Sequence, residues 1–189
     1  MSFKSYITGV AGGKIPESDW DSIQSAFTWR ILNKGEFLVR EGEVCMYFCY
    51  IESGILHHSL TVDGHEKTTY LALRDSATSS LDSFLNRKPS RKDVSALTDC
   101  SLWCIDLESF NRLRETNATF RSFYHNLLER QICLIDDYRI DLLTMTPEER
   151  YRKLLQTETK LLQQVPLHYL ASFLGISQRH MSRIRRSVK

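Results

Sequence analysis

Residues 166–186 read PLHYLASFLGISQRHMSRIRR, a stretch with two short helical patterns separated by a glycine. The apolar residues of the first pattern share one helix face and are Leu167, Leu170, Ala171 and Leu174. Gly175 accepts the positive φ of a sharp turn, and Ser177 can cap a second helix whose Met181 and Ile184 point inward. This spacing predicts a helix-turn-helix. An ordinary hairpin of two helices would explain the same apolar spacing.

The second predicted helix exposes a face that carries only one sign of charge. Its outward residues are Gln178, Arg179, His180, Ser182, Arg183, Arg185 and Arg186. A solvated helix usually mixes both signs. Arginine forms two hydrogen bonds with a guanine edge and glutamine reads adenine, and a helix N-terminus such as that at Ser177 attracts phosphate. These eight residues are therefore the predicted DNA-binding surface.

Charge is segregated along the chain. Residues 1–144 hold 16 basic and 20 acidic side chains, whereas residues 145–189 hold 9 and 3, so net charges of −4 and +6 give the total of +2. An acidic body with a basic segment is typical of proteins that bind a polyanion. The longest apolar run, residues 44–51, is far shorter than the ~20 residues of a membrane span, and residues 1–14 lack the apolar core of a signal peptide. We expect a cytoplasmic protein without a membrane partner.

The five cysteines are odd in number and scattered, which favours a reducing compartment over a disulfide framework. Two C-x3-C pairs, at 45 and 49 and at 100 and 104, lie in segments with strand character. A site of four thiolates for zinc or iron–sulfur is one interpretation. Small apolar core residues are the other, and we assign no metal.

Short apolar runs separated by turn residues fill positions 29–106 and predict an antiparallel β-roll. Asp63-Gly64 is suited to a hairpin turn. Before the roll, Trp20, Ile23 and Phe27 repeat at helical spacing behind Pro16.

A long helix is predicted after Asn117, which can cap it, because the next 27 residues contain neither glycine nor proline. Residues 118–143 would span about 39 Å. Alternating steps of three and four residues indicate a coiled-coil seam, which comprises Phe120, Tyr124, Leu127, Gln131, Leu134, Tyr138 and Leu142. A second copy of the chain is expected to cover this seam, so we predict a homodimer. Gln131 would set its register.

A further helix is predicted from Thr146-Pro147-Glu148-Glu149, which has the form of a capping box, to about Gln164. The predicted fold class is α+β, in three parts. Residues 1–116 form an antiparallel, jelly-roll-like β-roll, residues 117–144 a dimerisation helix, and residues 145–189 an all-α helix-turn-helix domain.

Several motifs make the chain similar to the Crp/Fnr family of bacterial transcription regulators. They are L-x-K-G-E-x-L-x-x-E-G at 32–42, Y-x-x-x-I-x-S-G at 47–54, DGHEK at 63–67, ERY at 149–151 and ASFLGISQRHMSRIRR at 171–186. The chain resembles short members that end just after the recognition helix, as it does at Lys189. The resemblance implies double-stranded DNA and RNA polymerase as partners, with Gln178, Arg179 and Arg183 near the bases. That triplet differs from the arginine-glutamate-arginine of the cyclic-AMP receptor, so a different target sequence is expected.

The resemblance also bears on the effector, through residues 75–96. Where cyclic-nucleotide binders of this family carry a glutamate and an arginine, this sequence has Ser80 and Ser90, with Arg91 one place late. A buried phosphate without its arginine is costly, so we expect neither cyclic AMP nor cyclic GMP and assign no cofactor. Ser80, Ser90 and Arg91 remain the candidate effector-pocket residues. The iron–sulfur branch of the family uses an N-terminal cysteine cluster, and residues 1–44 contain no cysteine.

The leading hypothesis is a homodimeric, sequence-specific DNA-binding regulator whose β-roll senses a signal. The alternative is a regulatory module that binds an effector or a partner without specific DNA binding. An enzyme is not expected, because metal-dependent β-rolls need a converging His-x-His and glutamate. Here His57 and His58 are adjacent and should point to opposite faces of a strand.

Overall fold

The computed structural model describes residues 2–157 and 159–187. The predicted ends at Met1 and Lys189 lie outside these residues, as does Glu158 of the predicted helix up to Gln164. The helices are α1 (Phe3–Ala11), α2 (Glu17–Ala26), α3 (Leu81–Asn86), α4 (Leu107–Thr116), α5 (Ala118–Thr144), α6 (Pro147–Thr157), α7 (Thr159–Gln164), α8 (Leu167–Phe173) and α9 (Gln178–Ser187). The strands are β1 (Thr28–Leu32), β2 (Phe37–Val39), β3 (Phe48–Ser53), β4 (Ile55–Val62), β5 (His65–Leu73), β6 (Ala77–Thr78), β7 (Asp93–Ala96) and β8 (Cys100–Ile105).

Two antiparallel sheets of four strands form the β-roll, and the predicted α+β class is confirmed. One sheet has the order β1-β8-β3-β6 and the other β2-β7-β4-β5. Leu56, Ala72 and Val94 of the second sheet lie in one buried cluster with Leu102 of the first. The apolar interior between the sheets therefore holds the roll together.

The predicted hairpin turn joins β4 to β5. Asp63 and Gly64 both have positive φ, at 51° and 75°, and Val62 pairs with His65 across the turn. Two central residues with positive φ match the right-handed twist of the flanking strands. The hairpin follows from the Asp-Gly pair, as the sequence predicts.

Helix α1 is a feature that the sequence analysis missed. Phe3, Tyr6, Ile7 and Val10 are buried and repeat at helical spacing, but residues 1–14 were considered only as a targeting segment. The rings of Phe3 and Tyr6 lie 5.2 Å and 4.8 Å from the ring of Tyr50 on the first sheet. The helix α4, which ends at Thr116, was also not predicted.

Helix α5 begins at the predicted cap. The Oδ1 atom of Asn117 accepts a hydrogen bond from the Phe120 backbone N–H at 2.8 Å, and its Nδ2 donates to the Asp19 carbonyl at 3.0 Å. The capping box of α6 is present as well, since the Thr146 N–H donates to the Glu149 carboxylate at 2.7 Å and the Glu149 N–H donates back to the Thr146 hydroxyl at 3.3 Å.

The predicted dimer seam needs a correction at its first three positions. Phe120, Tyr124 and Leu127 are buried in the core of their own β-roll, so no second copy can cover them. Further along, Tyr138 stacks on Phe173 at 5.3 Å and donates a hydrogen bond to its carbonyl at 2.8 Å. Of the remaining seam residues, Gln131 is half-buried and Leu134 and Leu142 are exposed.

A second apolar stripe runs along the solvent side of α5. The exposed apolar residues of this half of the helix are Ile132, Leu134, Ile135, Ile140, Leu142 and Leu143. The positions 128, 132, 135, 139 and 142 alternate steps of four and three residues and lie one residue after the predicted seam, except at Leu142, which belongs to both. The predicted seam therefore faces the protein's own core at its first three positions, whereas Leu134 and Leu142 stay exposed.

Gly54, between β3 and β4, provides a test of backbone packing. Its φ is +94°, and an added Cβ would lie 2.5 Å from the Asp99 carbonyl oxygen. Gly64 has a φ of +75° with nothing within 4 Å of an added Cβ. We expect Gly64→Ala to lower the free energy of unfolding by about 1 kcal/mol through backbone strain. Gly54→Ala should cost about 3 kcal/mol or more because overpacking adds to that strain.

Urea unfolding of the two variants measures this difference. Equal losses would show that the backbone around Gly54 yields to a methyl group and that the close approach has no structural importance.

Candidate nucleic-acid interface

Helices α8 and α9 are joined by a turn at Gly175, which has a φ of +71°. The Gly175 N–H donates to the Ser172 carbonyl and the Ile176 N–H to the Ala171 carbonyl, both at 3.0 Å. The inward residues of this pair are buried in a second core and are Leu170, Ala171, Leu174, Met181 and Ile184. The turn and the shared core hold the two helices in a fixed arrangement.

Helix α8 packs on the outer face of the second sheet. Ile55 and Leu71 of that sheet belong to the same core as the α8 and α9 residues. The backbone N–H of Thr68 on β5 donates to the Ser172 hydroxyl at 2.8 Å, and the ring of His57 lies 4.6 Å from that of Tyr169. The sheet therefore positions α8, and α8 positions α9.

The face of α9 opposite this core points into solvent. Its exposed side chains are Gln178, Arg179, Arg183, Arg185 and Arg186. The sequence of α9, QRHMSRIRRS, contains no acidic residue. Arg185 and Arg186 lie in the last turn, where cations also favour the helix dipole. Gln178, Arg179 and Arg183 lie outside that turn, so the helix dipole does not explain them. These three residues therefore favour binding to DNA.

The other three predicted residues are engaged within the protein. The Ser177 hydroxyl accepts a hydrogen bond from the His180 N–H at 3.2 Å, as a cap does. The imidazole of His180 lies 3.1 Å from the Glu148 carboxylate of α6, and the Ser182 hydroxyl donates to the Gln178 carbonyl at 2.9 Å. The Glu148 carboxylate accepts hydrogen bonds from the Glu148 backbone N–H and from His180, and these hold its pKa below the usual range.

Two of the predicted effector residues meet inside the roll, and one does not. The hydroxyls of Ser80 and Ser90 are buried and 2.8 Å apart. Ser90 donates to the Lys92 carbonyl at 2.6 Å, so the proton between the serines belongs to Ser80. Arg91 is exposed. Arg87 is exposed too and donates to the Cys45 carbonyl at 3.4 Å, so neither arginine is buried in the interior.

Lys92 is the cation that sequence reasoning missed. It is half-buried and lies just before β7, two residues from the completely buried Val94. Burial lowers the pKa of the Lys92 amine. Its signal in the sequence is its position just before the apolar residues Val94 and Ala96.

His58 shares this interior. Its Nε2 atom lies 2.8 Å from the Thr78 hydroxyl, and within the described ranges its Nδ1 has no hydrogen-bond partner. Burial, followed by the charge of Lys92, holds the pKa of His58 well below 6.5. His57 faces the other way, towards Tyr169, as the prediction of opposite faces requires. A negatively charged ligand in this interior would contact the single amine of Lys92, without the paired hydrogen bonds that an arginine guanidinium donates.

Four of the five cysteines are buried, and Cys133 is exposed. The Cys49 and Cys104 sulfurs are 3.1 Å apart on paired strands and both thiols are free. Burial raises the pKa of the Cys49 thiol well above its ordinary value, which keeps it protonated. In the described ranges no three His, Cys, Asp or Glu residues converge as metal ligands do. Nor is any described helix both long and apolar enough to cross a bilayer.

Comparison with known proteins agrees with this architecture. Residues 29–117 match the family model of the cyclic nucleotide-binding domain. No curated protein sequence matches the chain. Among solved structures, FixK2 from Bradyrhizobium japonicum is 17% identical with a TM-score of 0.72, over 86% of this chain and 84% of that one.

Two further structures are similar over most of both chains. The c-di-GMP responsive global regulator CLP of Xanthomonas campestris is 15% identical with a TM-score of 0.68, over 92% of this chain and 91% of that one. A protein described as a transcriptional regulator of the crp/fnr family from Eubacterium rectale is 17% identical with a TM-score of 0.68, over 92% and 83%. The chain therefore shares the fold of Crp/Fnr-type regulators.

The two buried histidines predict a pH dependence of stability. Burial lowers the pKa of His57 and of His58 below 6.5. Below pH 6.5 the unfolded chain therefore binds more protons than the folded one, and stability is lost as the pH falls. We expect the free energy of unfolding to decrease between about pH 6.5 and 5, by about 1.4 kcal/mol for each unit of pKa shift.

Urea unfolding across this range checks the prediction through its slope with pH. His58→Gln should flatten the slope, whereas the matched change His65→Gln, at an exposed site, should leave it unchanged. If His58→Gln leaves the slope of unfolding free energy against pH unchanged, the His58 imidazole is protonated in the folded protein.

Proposed function

We propose that the chain is a homodimeric, sequence-specific DNA-binding transcription regulator of Crp/Fnr type, acting in the cytoplasm. The observation that carries this proposal is the α9 surface. One side of that helix is fixed in a core by Met181 and Ile184. The other side exposes Gln178, Arg179 and Arg183 without an acidic neighbour on the same helix. A rigid helix with a polar, cationic outer face suits the major groove of duplex DNA.

In this proposal α8 and α9 form a helix-turn-helix, with α9 as the recognition helix. Gln178, Arg179 and Arg183 contact base edges, and Ser177, Arg185 and Arg186 contact the phosphate backbone. Two copies related by a two-fold axis would read half-sites about one helical turn apart, roughly 34 Å. RNA polymerase, which the family resemblance implies as a partner, stays a prediction.

The dimer forms through the outer stripe of α5. Ile132 and Ile135 are each 65% exposed, and Leu143 is 80% exposed. Apolar residues at alternating steps of three and four are typical of paired parallel helices. Arg139 stands at one seam position, where a polar residue specifies register at a cost in stability.

The β-roll acts as the sensor, without binding cyclic AMP in the usual way. The hydroxyls of Ser80 and Ser90 form a hydrogen bond with each other, and Arg91 is exposed at the surface. The roll matches the cyclic nucleotide-binding domain, and one similar protein is named for its response to c-di-GMP. We therefore expect an effector to bind in the roll. Its identity is not part of the proposal.

Selection of genomic fragments by the purified chain tests DNA binding directly. We expect a defined palindromic sequence to be enriched. On that site, Arg183→Ala should weaken binding by about 1–3 kcal/mol and relax preference at one base pair. Arg112→Ala, which removes the same charge from an exposed position on α4, should leave affinity and sequence preference unchanged.

Other results would overturn parts of this proposal. Enrichment of no sequence, with only weak binding that salt abolishes, would favour the regulatory module without specific DNA binding. A loss of affinity in Arg183→Ala that is equal on all sequences would make Arg183 a phosphate contact.

The dimer surface has its own test. Ile135→Glu places a charge in the outer stripe, so we expect monomers by light scattering after size exclusion. Leu134→Glu changes a similarly exposed apolar residue, at 58%, that lies outside the steps 128–132–135–139–142, and should remain dimeric. The reverse outcome would return the seam to the residues that the sequence predicts.

A further inference from the structure

A groove on the outer face of the first sheet gathers all three tryptophans of the chain. Trp20, Trp29 and Trp103 line it together with Phe3, Lys4 and Glu52, and Ser2 and Gln24 complete the lining. Its volume is about 320 Å³, at the lower end of the ~300–1,000 Å³ of sites for small ligands. Neither the DNA-binding surface, the dimer stripe nor the roll interior includes these residues.

The aromatic rings form a continuous wall. The Trp29 ring meets the Trp103 ring edge-on at 5.1 Å, and Trp103 stacks on Phe3 at 5.4 Å with an angle of 12°. The ring of Phe3 lies 5.6 Å from that of Trp20. Trp29 is nevertheless 47% exposed. Nearly half of the surface of Trp29, one of the lining residues, thus remains exposed.

Among the described residues, the charges around the groove leave the carboxylate of Glu52 without an ion-pair partner. The Lys4 amine donates to both oxygens of Glu17, at 3.2 and 3.3 Å, and lies 5.2 Å from the centre of the Trp20 ring. Glu17 therefore balances Lys4. Glu52 forms no ion pair with any residue of the described ranges. Aromatic faces carry negative potential, so the groove attracts a cation.

The lining also limits which cation fits. A primary ammonium brings three N–H donors and a guanidinium five, whereas the side-chain acceptors of the lining are limited to Ser2, Gln24 and Glu52. An anion would meet Glu52 and the negative ring faces. A quaternary ammonium has no N–H to satisfy and spreads its charge over methyl groups, which aromatic rings bind through cation–π attraction.

We propose that this groove binds a small quaternary ammonium compound of the choline type. The trimethylammonium head would contact Trp29 and Trp103, with Glu52 as the counter-ion. This site goes beyond the proposed function and does not depend on DNA binding.

The test uses the full chain and its own tryptophans, which all report on the groove. Choline is titrated at constant ionic strength, and its uncharged isostere 3,3-dimethyl-1-butanol serves as the matched probe. We expect saturable tryptophan fluorescence changes with choline at an affinity about fivefold higher than with the alcohol, as desolvated cation–π contacts allow. Equilibrium dialysis of labelled choline gives a second measurement.

Variants separate the contributions of ring and carboxylate. Trp29→Leu should lower choline affinity about fivefold while Trp29→Phe retains most of it, because phenylalanine keeps a π face. Glu52→Gln should weaken binding, and Glu115→Gln, at an exposed site on α4, should not. If Trp29→Leu does not fold, Glu52→Gln decides. Equal binding of choline and the alcohol, or no saturable binding of choline, would overturn the proposal.

Discussion

The contact between α8 and the outer face of the second sheet is the constraint on which the architecture depends. Ile55 and Leu71 of that sheet lie in the core of the C-terminal helices, apart from the core between the two sheets. The hydrogen bond from the Thr68 N–H to the Ser172 hydroxyl fixes the position of α8 along β5. Since α8 and α9 share a core, the orientation of the arginine-bearing helix is set by a sheet more than a hundred residues earlier in the chain.

Local features of this fold could be predicted because they depend on a few neighbouring residues. The Asp63-Gly64 turn, the Asn117 cap and the Thr146 capping box each follow from side chains within three positions of one another. The buried and exposed sides of α9 also followed from spacing, since Met181 and Ile184 recur at a helical interval.

Features that depend on distant packing could not be predicted in the same way. Helix α5 carries two apolar stripes, and nothing in its own sequence tells which one the β-roll covers. Phe120 and Leu127 were therefore assigned to the wrong partner. Lys92 was missed for a related reason, because the position of a cation in the roll interior depends on strand register. The burial of Ser80 against Ser90 is likewise a property of two segments brought together by the fold.

The anchoring of α5 has a mechanical consequence. Asn117 ties the start of the helix to α2, and Asn126 donates to the Val10 carbonyl of α1 at 2.9 Å, so these contacts hold the first three turns of α5 against the roll. Burial ends at Leu127, and the free length from 128 to 144 is a lever arm of about 24 Å. Its far end carries the C-terminal helices through Tyr138 and Asp141. A change of angle at Leu127 would become a larger displacement at the far end of α5. Such a displacement must first break the hydrogen bond between Thr68 and Ser172.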